Sequence, residues 1–562
     1  MKIIGVGFLS ESSVALIENG KVIYAISEER LNRIKNWWGN PYKTIEFVLK
    51  KTKYKVKDID YFSTNGLSSI KNDIPNLSIF QKKIIEVENS KLKKNIKIKQ
   101  VNFLKKRIKH EIKARNRVLR NLSSLKKKYK KVEIHDHHKA HASSAYFFSG
   151  WNNCHVLTID GWGDHSSSKL YHVSNGKFKE LSNSYTVDSL GYFYGSITKL
   201  LGFKPHRHEG KILGLAAFGN PHNAYDDISK MISYDYKNNC FKGNYEKGLY
   251  IAKFKNPNLK FLLKRYSRED IAAATQKRIE EVIIKFLKKN IVKKTKLALA
   301  GGVFANVKIN QKISNLKNIE KIFVYPNMGD GGLSVGSAAL SYFNHGKLKS
   351  KKISDVYLGP KYSNKEVLKE IKKSKLKYVK FKDPAKFIAK KLSEGFVVGC
   401  FQGRMEFGPR ALGNRSILVH AKDKSVNDWL NKKLKRTEFM PFAPITLKNK
   451  AHEMYSDLGS KYISTKFMTV TCNCKKKMIK ISPAAVHVDD TARPQLIDKK
   501  DNFKIYDILN KYYKKTKIPN LINTSFNVHE EPIVCTPNDA IRAFKTSKLD
   551  YLYIESYIVF NK

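Results

Sequence analysis

The chain has 562 residues, of which 41% are hydrophobic, and a formal net charge of +58. This length suffices for more than one hydrophobic core and predicts about two to four domains. No stretch approaches the ~18 consecutive apolar residues of a membrane-spanning helix, and the N-terminus is typical of a buried strand rather than a signal peptide. These features exclude an integral membrane protein and predict a cytoplasmic one.

The positive charge has two interpretations. A polyanion such as nucleic acid, a membrane surface or an acidic polysaccharide would bind to a chain of this kind. The excess is mostly lysine, however, and it is spread through nearly every segment together with many Ile and Asn, as codon bias in an AT-rich genome produces. We recognise no nucleic-acid-binding module. Composition therefore leaves a polyanion partner as one of two alternatives.

The N-terminal part predicts two copies of one strand unit. Residues 3–26 show strand, polar turn, strand, Asn19-Gly20 and strand, and residues 155–180 repeat this order with Asn175-Gly176. Asn-Gly between apolar runs is a strong hairpin signal. We therefore predict an α/β fold with a duplicated N-terminal domain and a cleft between its halves, the design of actin-like and sugar-kinase-like ATPases.

Residues 79–131 lie between the two copies and are rich in Lys and Arg, with apolar residues at helical spacing. They predict one or two basic amphipathic helices, which are either a solvated insertion or a surface that contacts an acceptor or a membrane. Helix-capping patterns at 267–270 and 536–539 predict two further helices. A polar stretch at 343–360 predicts a boundary between a domain of residues 1–350 and one of residues 356–562.

Two histidines and two aspartates suggest a metal site. On a helix, His137 and His141 lie one turn apart on the same face, where their ring nitrogens converge. Asp160 ends a predicted strand, and Asp330 lies in a glycine-rich turn. Such a set suits a divalent transition ion such as iron, manganese or zinc. The spacing alone is also met by ordinary histidine pairs that bind no metal.

A predicted strand at 296–300 runs into Gly301-Gly302, and a helix should begin after Asn306. Paired glycines between a strand and a helix let backbone N–H groups approach a phosphate or an adenosine. This segment is therefore a candidate nucleotide contact.

Longer motifs carry a family resemblance. In their order along the chain they resemble the O-carbamoyltransferases of the nodulation and tobramycin type, and the block at 408–417 is highly specific. The resemblance covers essentially the whole chain. The matching segments are residues 137–146, 160–164, 208–216, 300–306, 328–333, 403–417, 441–444, 487–493 and 523–527.

The resemblance implies an N-terminal domain like the universal tRNA threonylcarbamoyl-transfer protein, which has the actin-like ATPase fold, and a YrdC-like α/β C-terminal domain. It also implies that carbamoyl phosphate and ATP, with Mg²⁺, form a carbamoyl-adenylate in the C-terminal domain. The carbamoyl group then passes to the metal-containing N-terminal domain and to a hydroxyl of a sugar-containing acceptor. A homodimer is a further expectation.

The resemblance also assigns residues, which we carry over only where the motifs match. The expected ligands of the metal, which we expect to be Fe²⁺ with Mn²⁺ or Zn²⁺ as alternatives, are His137, His141, Asp160 and Asp330. The residues expected to hold carbamoyl phosphate are Arg410, Lys435, Arg493 and Ser525. Those expected to hold the adenylate are Glu209, Lys211, Gly301, Gly302 and Asn306.

Several points stay open. The general base for the acceptor hydroxyl is not assigned, and its candidates are His138, Asp164 and His208. Ser10 and Glu11 stand where the family commonly has His-Asp, and the basic insertion also departs from the plainest family pattern. The alternative functions are threonylcarbamoyl transfer to tRNA and a non-catalytic actin-like protein that binds nucleotide and a polyanion.

Overall fold

The computed structural model describes residues 1–66, 74–245, 259–346, 348–434, 442–528 and 530–561, with the backbone alone for residues 74–78. Helices and strands alternate along most of these ranges, so the fold is mixed α/β as predicted. Within the described ranges, every helix is either too short or too polar to serve as a membrane span.

The first half of the N-terminal region contains one five-stranded sheet and the long helices of the basic insertion. Its strands are β1 (Lys2–Gly7), β2 (Ser13–Glu18), β3 (Lys21–Ser27), β4 (Tyr61–Asn65) and β5 (Val132–His135). Its helices are α1 (Glu29–Asn32), α2 (Tyr42–Thr52), α3 (Ile74–Glu88), α4 (Lys94–Lys128) and α5 (His137–Ser149).

The second half contains another five-stranded sheet and a small two-stranded one. Its strands are β6 (Asn153–Gly163), β7 (Ser166–Ser174), β8 (Lys177–Tyr185), β9 (Ile232–Asp235), β10 (Cys240–Gly243), β11 (Thr295–Ala300) and β12 (Ile319–Val324). Its helices are α6 (Leu190–Leu200), α7 (Glu209–Leu215), α8 (Pro221–Ser229), α9 (Lys260–Arg265), α10 (Arg268–Asn290), α11 (Val307–Ser314) and α12 (Leu333–Gly346).

The two five-stranded sheets have the same topology. The first has the order β3-β2-β1-β4-β5, and the second has the order β8-β7-β6-β11-β12. In each sheet the first three strands form antiparallel hairpins and the last two add in parallel. The predicted duplication is therefore confirmed by strand order and strand direction.

Helices α5 and α12 lie between the two sheets, and each packs on the sheet of the other half. Helix α12 comes from the second half but packs on β1, β2 and β4, whereas α5 comes from the first half and packs on β6 and β11. The contact is close at Gly336 of α12, where a Cβ would lie 1.9 Å from the carbonyl oxygen of Ala140. Each sheet thus buries its inner face against a helix of the other half, which fixes the relative position of the halves.

The basic insertion forms two helices, as predicted, and α4 crosses between the halves. Its Leu104 packs in the core of the second half, Val118 and Leu122 pack with Leu9, and Leu125 packs in the core of the first half. One side of α4 is therefore buried along its whole length. The remaining surface of the helix carries most of its Lys and Arg residues in solvent.

The C-terminal region is built around an eight-stranded mixed sheet of order β13-β22-β21-β14-β15-β20-β16-β19. Helices cover both faces, with α14 and α19 on one and α13 and α20 on the other. The strands are β13 (Tyr378–Lys380), β14 (Val398–Phe401), β15 (Arg415–Val419), β16 (Pro444–Leu447), β17 (Cys472–Asn473), β18 (Thr491–Ala492), β19 (Gln495–Ile497), β20 (Asn520–Ser525), β21 (Tyr551–Ile554) and β22 (Tyr557–Phe560). The helices are α13 (Asn364–Lys373), α14 (Pro384–Ser393), α15 (Ser425–Lys433), α16 (Ala451–Met454), α17 (Tyr462–Thr465), α18 (Lys476–Ile481), α19 (Phe503–Thr516) and α20 (Pro537–Thr546).

Candidate active site

The four residues predicted as metal ligands meet between the two sheets. The helix α5 begins at His137, which puts His141 one turn further along the same face. Asp160 lies where the pairing of β6 with β7 becomes irregular, and Asp330 opens the short 3-10 turn before α12. One donor atom from each of the four lies within 4.8 Å of every other. The fold thus gathers residues that are up to 193 positions apart in the chain.

The spacing of the donor atoms fits a bound ion. The Nε2 atom of His141 lies 3.1 Å from Asp160 Oδ2 and 3.5 Å from Asp330 Oδ1, and His137 Nε2 lies 3.9 and 3.7 Å from the same two oxygens. Neighbouring ligands on an ion with bonds of about 2.0–2.2 Å are roughly 3–3.5 Å apart. Two imidazoles and two carboxylates suit iron, manganese and zinc alike.

The hydrogen bonding and charge of this cluster also favour a cation. In the part of the chain that the structure describes, the Nε2 atoms of both histidines and Asp330 Oδ1 are buried without a hydrogen-bond partner. Burial alone would lower the pKa of His141, but Asp160 and Asp330 raise it to about 9. A divalent ion would satisfy the orphaned atoms and the two carboxylates together.

Neighbouring groups hold the cluster in place. Ser10 Oγ donates to Asp330 Oδ2 over 2.7 Å, and the backbone N–H of Gly302 donates to Asp160 Oδ2 over 3.3 Å. Asn65, at the end of β4, has its amide 3.3 Å from His137 Nδ1. Such contacts orient metal ligands and tune their basicity. The supporting role of Asn65 was missed from the sequence because it lies in none of the motifs.

Glu11, one of the two departures from the family pattern, lies beside the cluster. Its carboxylate accepts from the backbone N–H of Gly331 over 3.3 Å. Burial raises the pKa of Glu11, and together with the nearby carboxylates of Glu29 and Asp330 it brings this pKa to about 7. The sequence therefore places an extra acidic group next to the predicted ligands.

The three candidates for a general base have different surroundings. Burial lowers the pKa of His138 to about 3, and its Nδ1 lies 2.9 Å from Thr158 Oγ1. Asp164 accepts from the backbone N–H of His137 at the start of α5, and burial raises its pKa to about 7. His208 instead contacts Glu530 of the C-terminal region, with Nε2 3.2 Å from Oε1. The base stays unassigned.

A cavity of about 420 Å³ lies between the N-terminal and C-terminal regions. Arg410, from the loop between β14 and β15, lines it together with Arg493 and Ser525. Lys211 of α7 lines it from the N-terminal side and is 7% exposed. Three of the four residues expected to hold carbamoyl phosphate thus share one cavity, whereas Lys435 lies outside the described residues.

The specific block around Arg410 is shaped by two buried charged residues. Glu406 Oε1 accepts from the backbone N–H groups of Leu412, Asn414 and Arg415 over 2.7–3.1 Å. Arg415 is 0% exposed, donates to carbonyl oxygens such as that of Gln402, and stacks on a neighbouring phenylalanine. These contacts fold the loop that presents Arg410 to the cavity.

The other residues expected to hold the adenylate lie outside the lining of this cavity. Glu209 accepts from the backbone N–H of His206 over 2.6 Å. Gly301 has φ +102°, and Gly302 contacts Asp160 at the metal-ligand cluster. Asn306 caps α11 and donates to Gln276 Oε1. The paired glycines therefore adjoin the cluster, and Asn306 has a structural task of its own.

A smaller pocket of about 70 Å³ opens at the cluster. Asp160 and Asp330 lie in its lining, opposite residues of α4. Glu111 of α4 accepts from Trp162 Nε1 over 2.6 Å and pairs with Arg107 at 2.7 Å. The remaining lining residues are Leu9, Ser10, Trp38, His110, Ala114, Arg117, Val118, Gly161, Tyr192 and His206. An acceptor contact was one of the alternatives predicted for the insertion, but no sequence motif indicated which residues would line the pocket.

Comparison with known proteins identifies the family. Residues 2–339 match the family described as Carbamoyltransferase N-terminus, and residues 389–561 match the one described as Carbamoyltransferase C-terminus. An uncharacterized protein of Methanocaldococcus jannaschii, MJ1058, is 34% identical over 100% of both chains. The nodulation protein NolNO of Sinorhizobium fredii is 29% identical, over 98% of this chain and 79% of its own.

Among solved structures, the similarity is remote. Component A of (R)-2-hydroxyglutaryl-CoA dehydratase from Acidaminococcus fermentans has a TM-score of 0.36 and 15% identity, over 61% of this chain and 98% of its own. The two family matches together extend over most of the sequence. The chain therefore belongs to the carbamoyltransferase family and is a carbamoyltransferase.

Proposed function

We propose that this carbamoyltransferase uses carbamoyl phosphate and ATP to form a carbamoyl-adenylate and transfers the carbamoyl group to a hydroxyl of a sugar-containing acceptor. In this proposal residues 1–350 form an actin-like transfer domain, and residues 356–562 form a YrdC-like domain that makes the adenylate. The observation that carries the proposal is the cavity of about 420 Å³, since Arg410, Arg493 and Ser525 come from separate motifs and line it together.

The lining of this cavity suits the donor reaction. Water hydrolyses carbamoyl phosphate to inorganic phosphate and carbamate. A carbamate oxygen then attacks the α-phosphorus of ATP and displaces pyrophosphate, which gives the carbamoyl-adenylate. Arg410 and Arg493 offer planar guanidinium groups that bind phosphate or carbamate oxygens through paired hydrogen bonds. Ser525 offers a hydroxyl that orients the carbamoyl end, and Lys211 contributes a positive charge from the N-terminal side. Charge that develops during the transfer is thereby offset.

The second step would take place at the cluster of His137, His141, Asp160 and Asp330. The acceptor oxygen attacks the carbamoyl carbon, AMP leaves, and the hydroxyl proton passes to a base. A divalent ion held by these four residues would act as a Lewis acid that polarises the donor. The backbone N–H of Gly302 donates to Asp160 of this cluster, and the small pocket lies beside it.

The alternatives receive less support. Membership in a family of carbamoyltransferases argues against a protein that only binds nucleotide and a polyanion. Threonylcarbamoyl transfer to tRNA would share the donor chemistry and differ in the acceptor. The family resemblance favours a hydroxylated saccharide as the acceptor, which is an argument by analogy.

The donor half is tested by pyrophosphate release. We would incubate the purified protein with ATP and Mg²⁺, with and without carbamoyl phosphate, and with and without ferrous ion. The same assay is run on Arg410→Ala and on Arg265→Ala, a control arginine on the exposed surface of α9. We expect release that requires carbamoyl phosphate, that is lost in Arg410→Ala, and that persists in Arg265→Ala.

Either result is informative. Release that depends on carbamoyl phosphate and on Arg410 would support the adenylate route and justify a screen of acceptors. No release under any metal condition would reject this route for the chain. Equal release by the two arginine variants would mean that Arg410 does not act in the donor step.

A further inference from the structure

The small pocket at the cluster has an unusual wall. Helix α4 contributes His110, Glu111, Ala114, Arg117 and Val118, which recur at helical spacing and so lie along one side of the helix. Ala114, a small residue in the middle of this set, leaves the space open. The insertion therefore forms part of the wall of the pocket in which the acceptor hydroxyl would react.

The pocket is too small for a whole saccharide. Its volume of about 70 Å³ has room for a few non-hydrogen atoms, which suits a hydroxyl group and the edge of a ring. Trp38, which is 43% exposed, stands at its wall and offers a flat apolar face. The rest of any acceptor must lie outside the pocket, on the surface that surrounds it.

That surface is strongly positive. Helix α4 carries fourteen Lys or Arg residues in 35 positions and a single acidic residue. The acidic residue is Glu111, which is buried and already bonded to Arg107 and Trp162. The charge density of the helix exceeds that of the chain as a whole, which carries +58 over 562 residues. General lysine bias of the sequence does not account for this concentration.

Part of this charge lies next to the pocket. Lys106, Lys113, Arg117 and Arg120 are exposed, and their helical positions follow the edge of the pocket wall; we name these four the basic stripe. Arg117 belongs both to the basic stripe and to the pocket wall. Its guanidinium stacks on Trp38, 4.9 Å from the centre of the ring. At 1.5 Å per residue the stripe extends about 21 Å along the helix.

We propose that the acceptor is a phosphorylated sugar, whose free hydroxyl enters the small pocket while its phosphate or diphosphate group lies on the basic stripe of α4. This inference rests on the proposed function and adds the chemical class of the acceptor. Guanidinium and ammonium groups bind phosphate through charge-assisted hydrogen bonds, and the aromatic face of Trp38 suits a sugar ring or a base. A neutral or cationic acceptor would gain nothing from the stripe.

Burial of the other side of α4 argues against insertion into a membrane. Leu104, Val118, Leu122 and Leu125 pack inside the protein, so the apolar side that a surface-bound helix would put into lipid is already occupied. Ile98 and Ile112 of α4 are 52% and 41% exposed, but they do not form a continuous apolar side that could enter a lipid surface. A small phosphorylated ligand that reaches the pocket uses both features of the surface.

The test is equilibrium binding by calorimetry. The probes are UDP-glucose, glucose 1-phosphate and glucose, each titrated in the presence of carbamoyl phosphate and α,β-methylene-ATP, which occupy the donor cavity. The test variant carries Lys113→Gln, Arg117→Gln and Arg120→Gln. The control variant carries Lys94→Gln, Lys105→Gln and Lys126→Gln, which remove the same charge from exposed positions of α4 that lie about a third of a turn away from the stripe. A single Arg117→Gln variant serves if the triple variant folds poorly.

We expect wild type to bind UDP-glucose or glucose 1-phosphate at least about tenfold more tightly than glucose, since charge-assisted contacts are added. The test variant should lose this preference and the control variant should keep it. Preference for UDP-glucose over glucose 1-phosphate would assign a nucleoside diphosphate sugar, and equal binding would assign a phosphate monoester.

Three results would overturn the inference. They are equal binding of all three probes by wild type, an equal loss in both triple variants, and stripe-dependent binding of a tRNA without any for the sugar phosphates. The pyrophosphate assay separates this inference from the proposed function. Normal pyrophosphate release without stripe-dependent binding rejects the inference alone, whereas stripe-dependent binding without pyrophosphate release rejects the donor chemistry.

Discussion

Substitution of Gly163 by alanine is the sharpest test of the metal-ligand cluster. Gly163 ends β6, and a Cβ at this position would lie 2.0 Å from Cδ2 and 2.5 Å from Nε2 of His137. Carbon atoms in contact are normally about 3.5–4.0 Å apart, so the ring would have to move by roughly 1.5 Å. His137 is 0% exposed, so its ring cannot move out into solvent without disturbing the residues that bury it.

The consequence for metal binding is large. Metal–ligand distances tolerate about 0.2 Å, so a displacement of roughly 1.5 Å removes His137 from the coordination sphere. We expect the affinity for Fe²⁺ or Zn²⁺ to fall by about two orders of magnitude or more. Overpacking of a buried site should also lower the free energy of unfolding by about 1–3 kcal/mol.

The assay is calorimetric titration of chelator-treated protein with each metal, together with thermal unfolding. The control is Gly459→Ala, whose new Cβ would meet no atom within 4 Å. We expect the control to bind metal as wild type does. A folded Gly163→Ala protein with metal affinity within about threefold of wild type would refute the assignment of His137 as a ligand.

Three further predictions concern the donor cavity and the loop beside the cluster. Arg415→Lys should lower the free energy of unfolding by about 2–4 kcal/mol, because lysine cannot keep both the carbonyl bonds and the stacking on Phe401; urea unfolding measures this. Glu530→Gln weakens the 2.7 Å ion pair with Arg207 at the cavity wall. More carbamoyl-adenylate should then escape into solvent before transfer, so the ATP consumed per carbamoylated product should rise about fivefold. In chelator, Glu11→Gln should stabilise the protein increasingly from pH 4.5 to about 7, by up to about 3 kcal/mol, since the raised pKa of Glu11 makes its ionised form unfavourable.

Controls separate local from general effects. Arg542→Lys changes an exposed arginine of α20 and should leave unfolding nearly unaltered. Glu394→Gln removes an exposed carboxylate far from the cavity and should leave ATP consumption per product at the wild-type value. A pH-independent effect of Glu11→Gln would contradict the raised pKa of this group.

Local structure could be predicted because the interactions that decide it are short-range. Asn19-Gly20 and Asn175-Gly176 adopt positive φ at both positions, which gives the tight turns of the two hairpins. Ser267 caps α10 by accepting from the N–H of Asp270. At the start of α20 a complete capping box forms at Thr536. Each of these predictions is confirmed.

The candidate active site could not be predicted from residue spacing alone. His137 and His141 are separated by one helical turn, but nothing local brings Asp330 to them. Its glycine-rich turn made Asp330 a candidate ligand, and the family resemblance then assigned it that role. Contact of the insertion with an acceptor was one of its predicted alternatives. The residues of α4 that form the pocket wall could not be predicted, because they depend on tertiary packing at Leu104, Val118 and Leu122. Asn306 illustrates a different difficulty. Its motif suggested a nucleotide contact, whereas its position before a helix is typical of a cap, and in the structure it caps α11.

The two departures from the family pattern lie together at the junction between the two pockets. Glu11 lines the large cavity, and Ser10, its neighbour in the chain, lines the small pocket and donates to Asp330. His206 lines both pockets. If the carbamoyl donor forms beside Arg410 as we propose, it would pass this loop to reach an acceptor held by α4. Variation at these two positions, like variation of the insertion, would alter the transfer step and leave the donor residues untouched.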